Sequence, residues 1–240
     1  MYYSWLVPVM GFIMLSGYSI IYFVEWKHPL YKQVLTTHST KQWLKGCLNI
    51  LSSIFMGWLF ASYLFIISHH LTGLFSLITQ NLWLQGLYSF IFLDFIIYAW
   101  HRINHLFPSL WKFHALHHKE KELNVFSTFH FHPKEIFIST AWRLILLPLI
   151  GIKPSALLIY NVVFFTVILF HHSNIKIPFK WDRILQYIIV TPGLHHVHHS
   201  IKMNESNSNY GSVFSFWDKI LGSITFYRQQ PIKFGIEEEL

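Results

Sequence analysis

The sequence predicts an all-α integral membrane protein, with about four to five transmembrane or re-entrant helices carrying a cytoplasmic, histidine-rich helical cap. Three observations lead there. Hydrophobic residues make up 53% of the 240 and charged residues only 12%, about half the charged share of a soluble domain, so a bilayer must solvate much of the chain. The apolar residues are gathered into runs of membrane length. The chain also holds 17 histidines, and histidine is a poor membrane solute and a good metal ligand, so that number needs a cause.

The first element is Trp5 to Val24, which carries no charge, and about 20 such residues cross roughly 30 Å of hydrocarbon. No basic segment precedes it and no small-residue cleavage site intervenes before Glu25 and Trp26, which argues for a span over a signal peptide. A polar loop with Lys27, Lys32, Lys41 and Lys45 leads to a second span, Leu48 to Ile67. Ser68 to Leu93 lacks Lys, Arg, Asp and Glu and leads into a third span from about Gly86 to Trp100. Two shorter runs, Ile136 to Ile150 and Ala156 to Phe170, flank Gly151, Lys153 and Pro154. Each is short for a full crossing, so they predict a hairpin that crosses steeply or dips in from one face. Arg143 in the first run faces protein or the interface, and Ile175 to Leu240 reads as a soluble C-terminal part.

The basic residues set the orientation. The first loop has four lysines, whereas the N-terminus and the Ser68 to Leu93 stretch have none, which places that loop in the cytoplasm. Counting spans then puts both histidine-rich regions on the cytoplasmic side. The formal charge of +7 is segregated in this topological sense, so membrane and not nucleic acid is the expected partner. A single cysteine, Cys47, excludes an internal disulfide and any cysteine-based zinc ribbon or redox pair. No repeat at a solenoid period is visible.

Three histidine constellations carry the chemistry. His101-Arg-Ile-Asn-His105 ends the third span, and i and i+4 share a helical face, which suits two ligands to one metal or one to each of two. His114-Ala-Leu-His117-His118 and His195-His196-Val-His198-His199 each contain H-x2-HH, positions i, i+3 and i+4 of one face. A lone histidine is usually a core or surface residue. Two copies of this spacing together with H-x3-H on one membrane side are not expected by chance. A structural zinc needs four ligands, usually with cysteine. Eight histidines are too many for that and suit two metals with four or five imidazoles each. Imidazole accepts iron, copper, nickel and zinc. Glu25-Trp-Lys-His28 has the Glu-x-x-His spacing of carboxylate di-iron bundles but stands unpaired, and is read as incidental. Asp94, Tyr98, His101 and His105 form one helical stripe. An acid inside a span is costly and usually functional, so Asp94 is expected to accept the free N–H of a ligand imidazole. The competing reading is an ion pair with Arg143.

At these residues the sequence resembles the fatty acid hydroxylase/sterol desaturase superfamily of membrane di-iron enzymes, from about Asp94 to Gly222. Asp94-x3-Tyr98-x2-His101-Arg102-x2-His105 resembles the family's first box, and Leu110-Trp111-x2-His114-x2-His117-His118 its second. Asn124, Thr128 and His132-Pro133-x-Glu135 resemble the stretch after the second box. Phe170-His171-His172-Ser173-Asn174 with Pro178 resembles the segment bearing an extra histidine, where His172 aligns better than His171. Pro192, His195, His198 and His199, then Asn209-Tyr210-Gly211 and Trp217-Asp218-x3-Gly222, resemble the third box and its sequel. The resemblance implies metal ligands at His101, His105, His114, His117, His118, His172, His195, His198 and His199, with His132 as a tenth, and catalytic support from Asp94 and Tyr98. His130 departs from the arginine of many relatives, and His196, also arginine in relatives, is counted a non-ligand.

The domain division expected is residues 1–93 as N-terminal membrane helices, 94–222 as the hydroxylase/desaturase-type catalytic domain and 223–240 as a tail. The resemblance further implies two iron ions, O2 as co-substrate and an external electron donor, acting on a C–H bond of a lipid such as a sterol or fatty acyl chain. That lipid would enter from the bilayer along Phe92, Phe95, Tyr98 and the aromatics of Phe164 to Phe170. The chain carries no dinucleotide fingerprint and no haem module. A cytochrome b5-like or ferredoxin-type partner could dock on the basic residues Lys112, Lys119, Lys121, Lys176, Lys180 and Arg183, which could equally face anionic lipid. The membrane would be the bacterial inner membrane or the endoplasmic reticulum. The alternatives are a membrane metal transporter, which needs ligands along a transmembrane path, and a non-catalytic scaffold, which tolerates lost box histidines.

Overall fold

A computed structural model describes residues 6–31, 73–226 and 231–237, with single positions between 47 and 66. The expected second span lies outside the described residues. Among them the structure is helical, with three isolated bridges and no strand. In chain order the helices are α1 (Leu6–Lys27), α2 (Leu74–Ile78), α3 (Leu82–Leu106), α4 (Pro108–His118), a 3-10 turn (Val125–Phe129), α5 (Pro133–Ile150), α6 (Pro154–His172), α7 (Phe179–Leu185), α8 (Pro192–His198), α9 (Met203–Ser206) and α10 (Phe216–Ile220).

Among the described residues three helices, Pro8–Lys27, Leu82–Leu106 and Pro154–His172, are long and apolar enough to cross a membrane. The third span is longer than its apolar stretch suggests. Asn81 caps its start, its Oδ1 accepting the N–H groups of Trp83 and Leu84, and it continues through His101 and His105 to Leu106 because no breaker intervenes before Pro108. The expected hairpin is α5 and α6, but α6, whose apolar run was expected to be short for a full crossing, extends to 19 residues and is long enough for one. Proline sits at the first turn of each, and Gly151 ends α5 in the left-handed region at φ 84°. Gly151 also abuts Gly73: a Cβ on Gly73 would lie 2.1 Å from the Gly151 Cα, so both must lack side chains for the α5–α6 turn to meet the chain leading into α2.

Helix α6 is the pivot, packed on α1, α3, the 3-10 turn and α8. One buried cluster joins Phe75, Leu93, Ile96, Leu147, Leu157 and Tyr160 across α2, α3, α5 and α6. Another joins Met14, Tyr18, Ile21, Val125, Phe165 and Leu169 between α1, the 3-10 turn and α6. Phe12, Ile20 and Phe23 of α1 face outward, as lipid contact requires. Between spans the hydrophobic drive is weak because lipid tails are as apolar as leucine, so shape and polar ties decide which helices meet. Two carboxylates supply such ties. Asp94 on α3 accepts four hydrogen bonds, from Tyr160 OH (3.0 Å), Val213 N–H (3.2 Å), Phe214 N–H (3.1 Å) and Trp217 Nε1–H (2.9 Å). Glu25, buried at the end of α1, accepts from Asn174 N–H at 2.7 Å and Val125 N–H at 3.2 Å. The first lashes α3 to α6 and the C-terminal segment; the second joins α1 to the chain just beyond α6. Hydrogen bonds to charged acceptors contribute about 1.5–3 kcal/mol each, enough to offset the cost of about 3 kcal/mol of an acid in a span.

Candidate metal centre

The C-terminal ends of α3 and α6 and the N-terminal half of α5 meet α4 and α8 at one end of the spans, and there the histidines converge. Five imidazoles, from His101, His105, His114, His118 and His198, bring one ring nitrogen each within 4.8 Å of the others. Four more, from His117, His172, His195 and His199, do the same beside them. Each H-x2-HH motif is divided between the groups. His114 and His118 go to the first and His117 to the second, while His195 and His199 go to the second and His198 to the first. Positions i and i+4 stay together and i+3, turned about 60° from i, reaches across. His101 and His105 both enter the first group.

Hydrogen bonds fix which nitrogen faces inward. The Nδ1 of His101 donates to the Tyr210 carbonyl at 2.9 Å, and that of His198 to the Ser208 carbonyl at 2.7 Å. His114 Nδ1 donates to Glu135 Oε1 at 2.8 Å and His105 Nδ1 to Asn207 Oδ1 at 3.2 Å. These acceptors oblige Nδ1 to carry the proton, so Nε2 presents a lone pair. The Nε2 atoms of all five first-group histidines are buried with no hydrogen-bond partner. In the second group His172 Nδ1 donates to the Ile168 carbonyl at 2.8 Å. Its Nε2 lies 3.0 Å from both His117 Nε2 and His195 Nε2, and His199 Nε2 lies 3.1 Å from His195 Nε2. Ligands about 2.1 Å from one ion at right angles stand roughly 3.0 Å apart. Buried lone pairs aimed at each other at that spacing fit a metal ion between them.

The electrostatics agree. Burial pushes the imidazoles of His117, His118, His195, His198 and His199 well below the ordinary histidine value, and neighbouring imidazoles push them further. They are therefore neutral near pH 7, the form that ligates. His196 is lowered by burial to about 4, but its Nε2 donates to the Ser173 carbonyl at 3.1 Å and it stands outside both groups. His171 is also outside them, stacked on His195 with centroids 3.9 Å apart.

Three expected site residues are not brought to the groups. His132 caps α5, its Nδ1 accepting Lys134 N–H at 3.1 Å, and its ring packs on Phe113. The capping position turns the ring away from the cluster. Asp94 bonds neither a ligand imidazole nor Arg143: its four donors belong to Tyr160, Val213, Phe214 and Trp217. Seven residues separate it from His101, about 10 Å along α3, and that distance explains the difference. Tyr98 is also buried, its hydroxyl 2.8 Å from Ser223 Oγ and accepting Arg102 Nη1–H at 3.0 Å.

Among the described residues, the carboxylate that does contact an imidazole of these groups is Glu135, buried on α5 and bonded to His114. A metal-bound histidine usually donates its other N–H to such an acceptor, which fixes the ring and raises its basicity. Glu135 had a signal in the sequence, an acid in the first turn of a helix opening on His132-Pro133. Glu25 had one as well, a lone acid ending an uncharged span, yet its partners are backbone groups that no spacing reveals.

A cavity of about 420 Å³ opens beside the two groups. Its near end is walled by His101, Asn104, His114, His117, Thr128 and Glu135, and its far end by Leu93, Leu147, Leu157 and Phe164. Phe92, Phe95 and Tyr98, expected to line it, do not; Phe95 instead packs on Trp217 and Tyr98 on Tyr210. Of the aromatics expected from Phe164 to Phe170, Phe164 and Phe165 line it and Phe170 does not.

Among known proteins, the fatty acid hydroxylase family model matches residues 86–223. An ornithine lipid hydroxylase, OlsE of Rhizobium tropici, is 35% identical over 139 residues, which is 58% of this chain. The match spans only 41% of that relative's length. No solved structure matches the chain.

Proposed function

The chain belongs to the fatty acid hydroxylase family, and from that premise we propose that it is a membrane-bound, two-iron, O2-dependent hydroxylase of a lipid, with residues 94–222 as its catalytic unit. The observation that carries this is the pair of imidazole groups beside a cavity among the spans: five whose buried Nε2 atoms have no hydrogen-bond partner, and four whose Nε2 atoms face one another at 3.0–3.1 Å. One iron would be held by His101, His105, His114, His118 and His198 and the other by His117, His172, His195 and His199. Iron bound there would supply reductive activation of dioxygen and the oxidising power to break an unactivated C–H bond.

The protein's part is positioning and exclusion. Glu135 holds the His114 proton on Nδ1, and the Tyr210 and Ser208 carbonyls do the same for His101 and His198. Trp111, packed on the His105 and His118 rings, and Phe131, stacked on His117 at 4.3 Å, cover the groups against water. The cavity leads from the spans to the histidines, so a lipid reaches them without leaving the membrane. Electrons come from a separate acidic donor, cytochrome b5-like or ferredoxin-type, received on the exposed basic residues Lys112, Lys119, Lys121, Lys176, Lys180 and Arg183. The lysine-rich first loop supports a cytoplasmic face for this end. Both groups sit at one end of the spans, not along a path through them, which favours catalysis over metal transport.

The test is metal content of detergent-purified protein. Wild type is expected to hold about two irons per chain. The His114→Ala/His118→Ala and His117→Ala/His199→Ala double variants should each hold about one. Zinc in place of iron, or a content unchanged by both pairs, overturns the reading.

A further inference from the structure

The cavity is amphipathic along its length, and its polar end is the end at the histidines. Asn104, one turn after His101 on α3 and almost fully buried, lines it with neither its Oδ1 nor its Nδ2 hydrogen-bonded. Thr128 Oγ1 and Glu135 Oε2 are likewise buried there without partners. Native structures seldom leave such atoms unmatched, so four of them lining one cavity from α3, the 3-10 turn and α5 call for a ligand that supplies donors and acceptors. Arg143 of α5 lines the same cavity. Its Nε donates to the Ser139 carbonyl at 2.7 Å and its Nη2 to Ser139 Oγ at 3.1 Å, so the guanidinium is folded back along α5 toward the histidines. Ser139 is one helical turn from Glu135, about 6 Å along the axis. A cation that lines a cavity walled by apolar membrane-length helices marks a ligand path.

Resting on the hydroxylase reading above, we propose that the substrate is held by its polar end: a hydrogen-bonding, anionic headgroup lies among Asn104, Glu135 and Arg143, and the carbon hydroxylated is in or beside that headgroup. Asn104 and Glu135 take the donor and carbonyl groups nearest the histidines. Arg143 takes the anion about one turn deeper, and the acyl chain runs toward Leu147 and Leu157 or out among the spans. The reverse orientation is disfavoured by simple exchange. An acyl tail moved from the bilayer into this wall gains little, because lipid tails already surround it in hydrocarbon, and it would cover four polar atoms that it cannot satisfy.

The experiment measures binding, not turnover, on the purified full chain in uncharged detergent. Three probes share one chain length: N-palmitoylglycine, hexadecyl phosphate and the neutral N-palmitoylethanolamine. Wild type is expected to bind N-palmitoylglycine, hexadecyl phosphate or both at least tenfold more tightly than the neutral amide, and the difference between the two identifies the anion as carboxylate or phosphate. Arg143→Gln should erase that preference and Arg143→Lys should restore part of it. Asn104→Leu should weaken both palmitoyl amides about tenfold. Equal binding of charged and neutral probes by wild type, or a preference that survives Arg143→Gln, overturns the proposal; the wild-type comparison decides even if a variant fails to fold. Iron content measured on the same samples separates the two readings. Iron without an anion preference sinks the headgroup orientation alone, whereas an anion preference without iron sinks the hydroxylase.

Discussion

The five-histidine group and the four-histidine group sit side by side yet are held in different ways. In the first, four of five rings have Nδ1 tied to the protein, at Tyr210, Asn207, Glu135 and Ser208. In the second, His172 is tied to Ile168, while His195 and His199 have no acceptor for Nδ1 and the rings are spaced by contacts with each other. The first group is therefore oriented by the fold without a metal, whereas the second would depend on one to hold neutral imidazoles together. The difference in outer contacts is a difference in preorganisation.

The largest effect should come from removing the metal. An ion present at about a thousand times its dissociation constant stabilises by about 4 kcal/mol, which for a chain of this length is a drop of about 10 °C in Tm on chelation. Hydrogen exchange should rise mainly at the ends of α6 and α8 and much less at His101 and His105. Equal loosening of both regions would break the contrast. Next in size, His199→Ala leaves three donors in its group and should bring iron from about two to about one per chain. His105→Ala leaves four donors in the other and should keep about two, measured on the same preparations. If both variants lose the same amount, ring anchoring does not set affinity.

The same contrast shows what a sequence can and cannot reveal. The spans were legible because membrane length and the absence of charge are properties of consecutive residues; α1, α3 and the α5–α6 hairpin track the expected runs. His172 stands in no such motif and only the family resemblance pointed to it, whereas the eight box histidines were legible because i, i+4 spacing is local. How they divide was not, since sending His117 and His198 each to the other group requires two helices to face one another. Asp94 showed the limit. Its position in a span announced a role, but its partners lie about 120 residues away at Val213, Phe214 and Trp217, so the role turned out to be lashing helices and not holding an imidazole. His132 misled in the opposite way, because a histidine directly before a proline at a helix start is placed to cap.

Within the anchored group, the charged anchor should matter more than the neutral ones. Glu135→Gln keeps an acceptor for His114 Nδ1 but removes the negative charge that makes the imidazole more basic. Losing an outer-shell carboxylate of this kind typically costs 10–100-fold in metal affinity or activity. We expect about tenfold weaker iron retention against a chelator for Glu135→Gln and closer to a hundredfold for Glu135→Ala. Identical behaviour of the two would mean that orientation, not charge, is what Glu135 supplies.

The smallest effect sharpens the comparison most, because it tests whether one neutral anchor is felt at all. Asn207 is exposed, and its bond to His105 Nδ1 is long at 3.2 Å. A neutral hydrogen bond contributes about 1 kcal/mol net, roughly a factor of five in an equilibrium constant. Asn207→Leu should therefore weaken iron retention by about fivefold or less, with iron content at saturation and Tm unchanged, since His101, His114, His118 and His198 still hold the site. A loss approaching that of Glu135→Ala would show that His105 is the donor on which the five-histidine site turns, and its rigidity would then rest on one surface amide instead of on four anchors together.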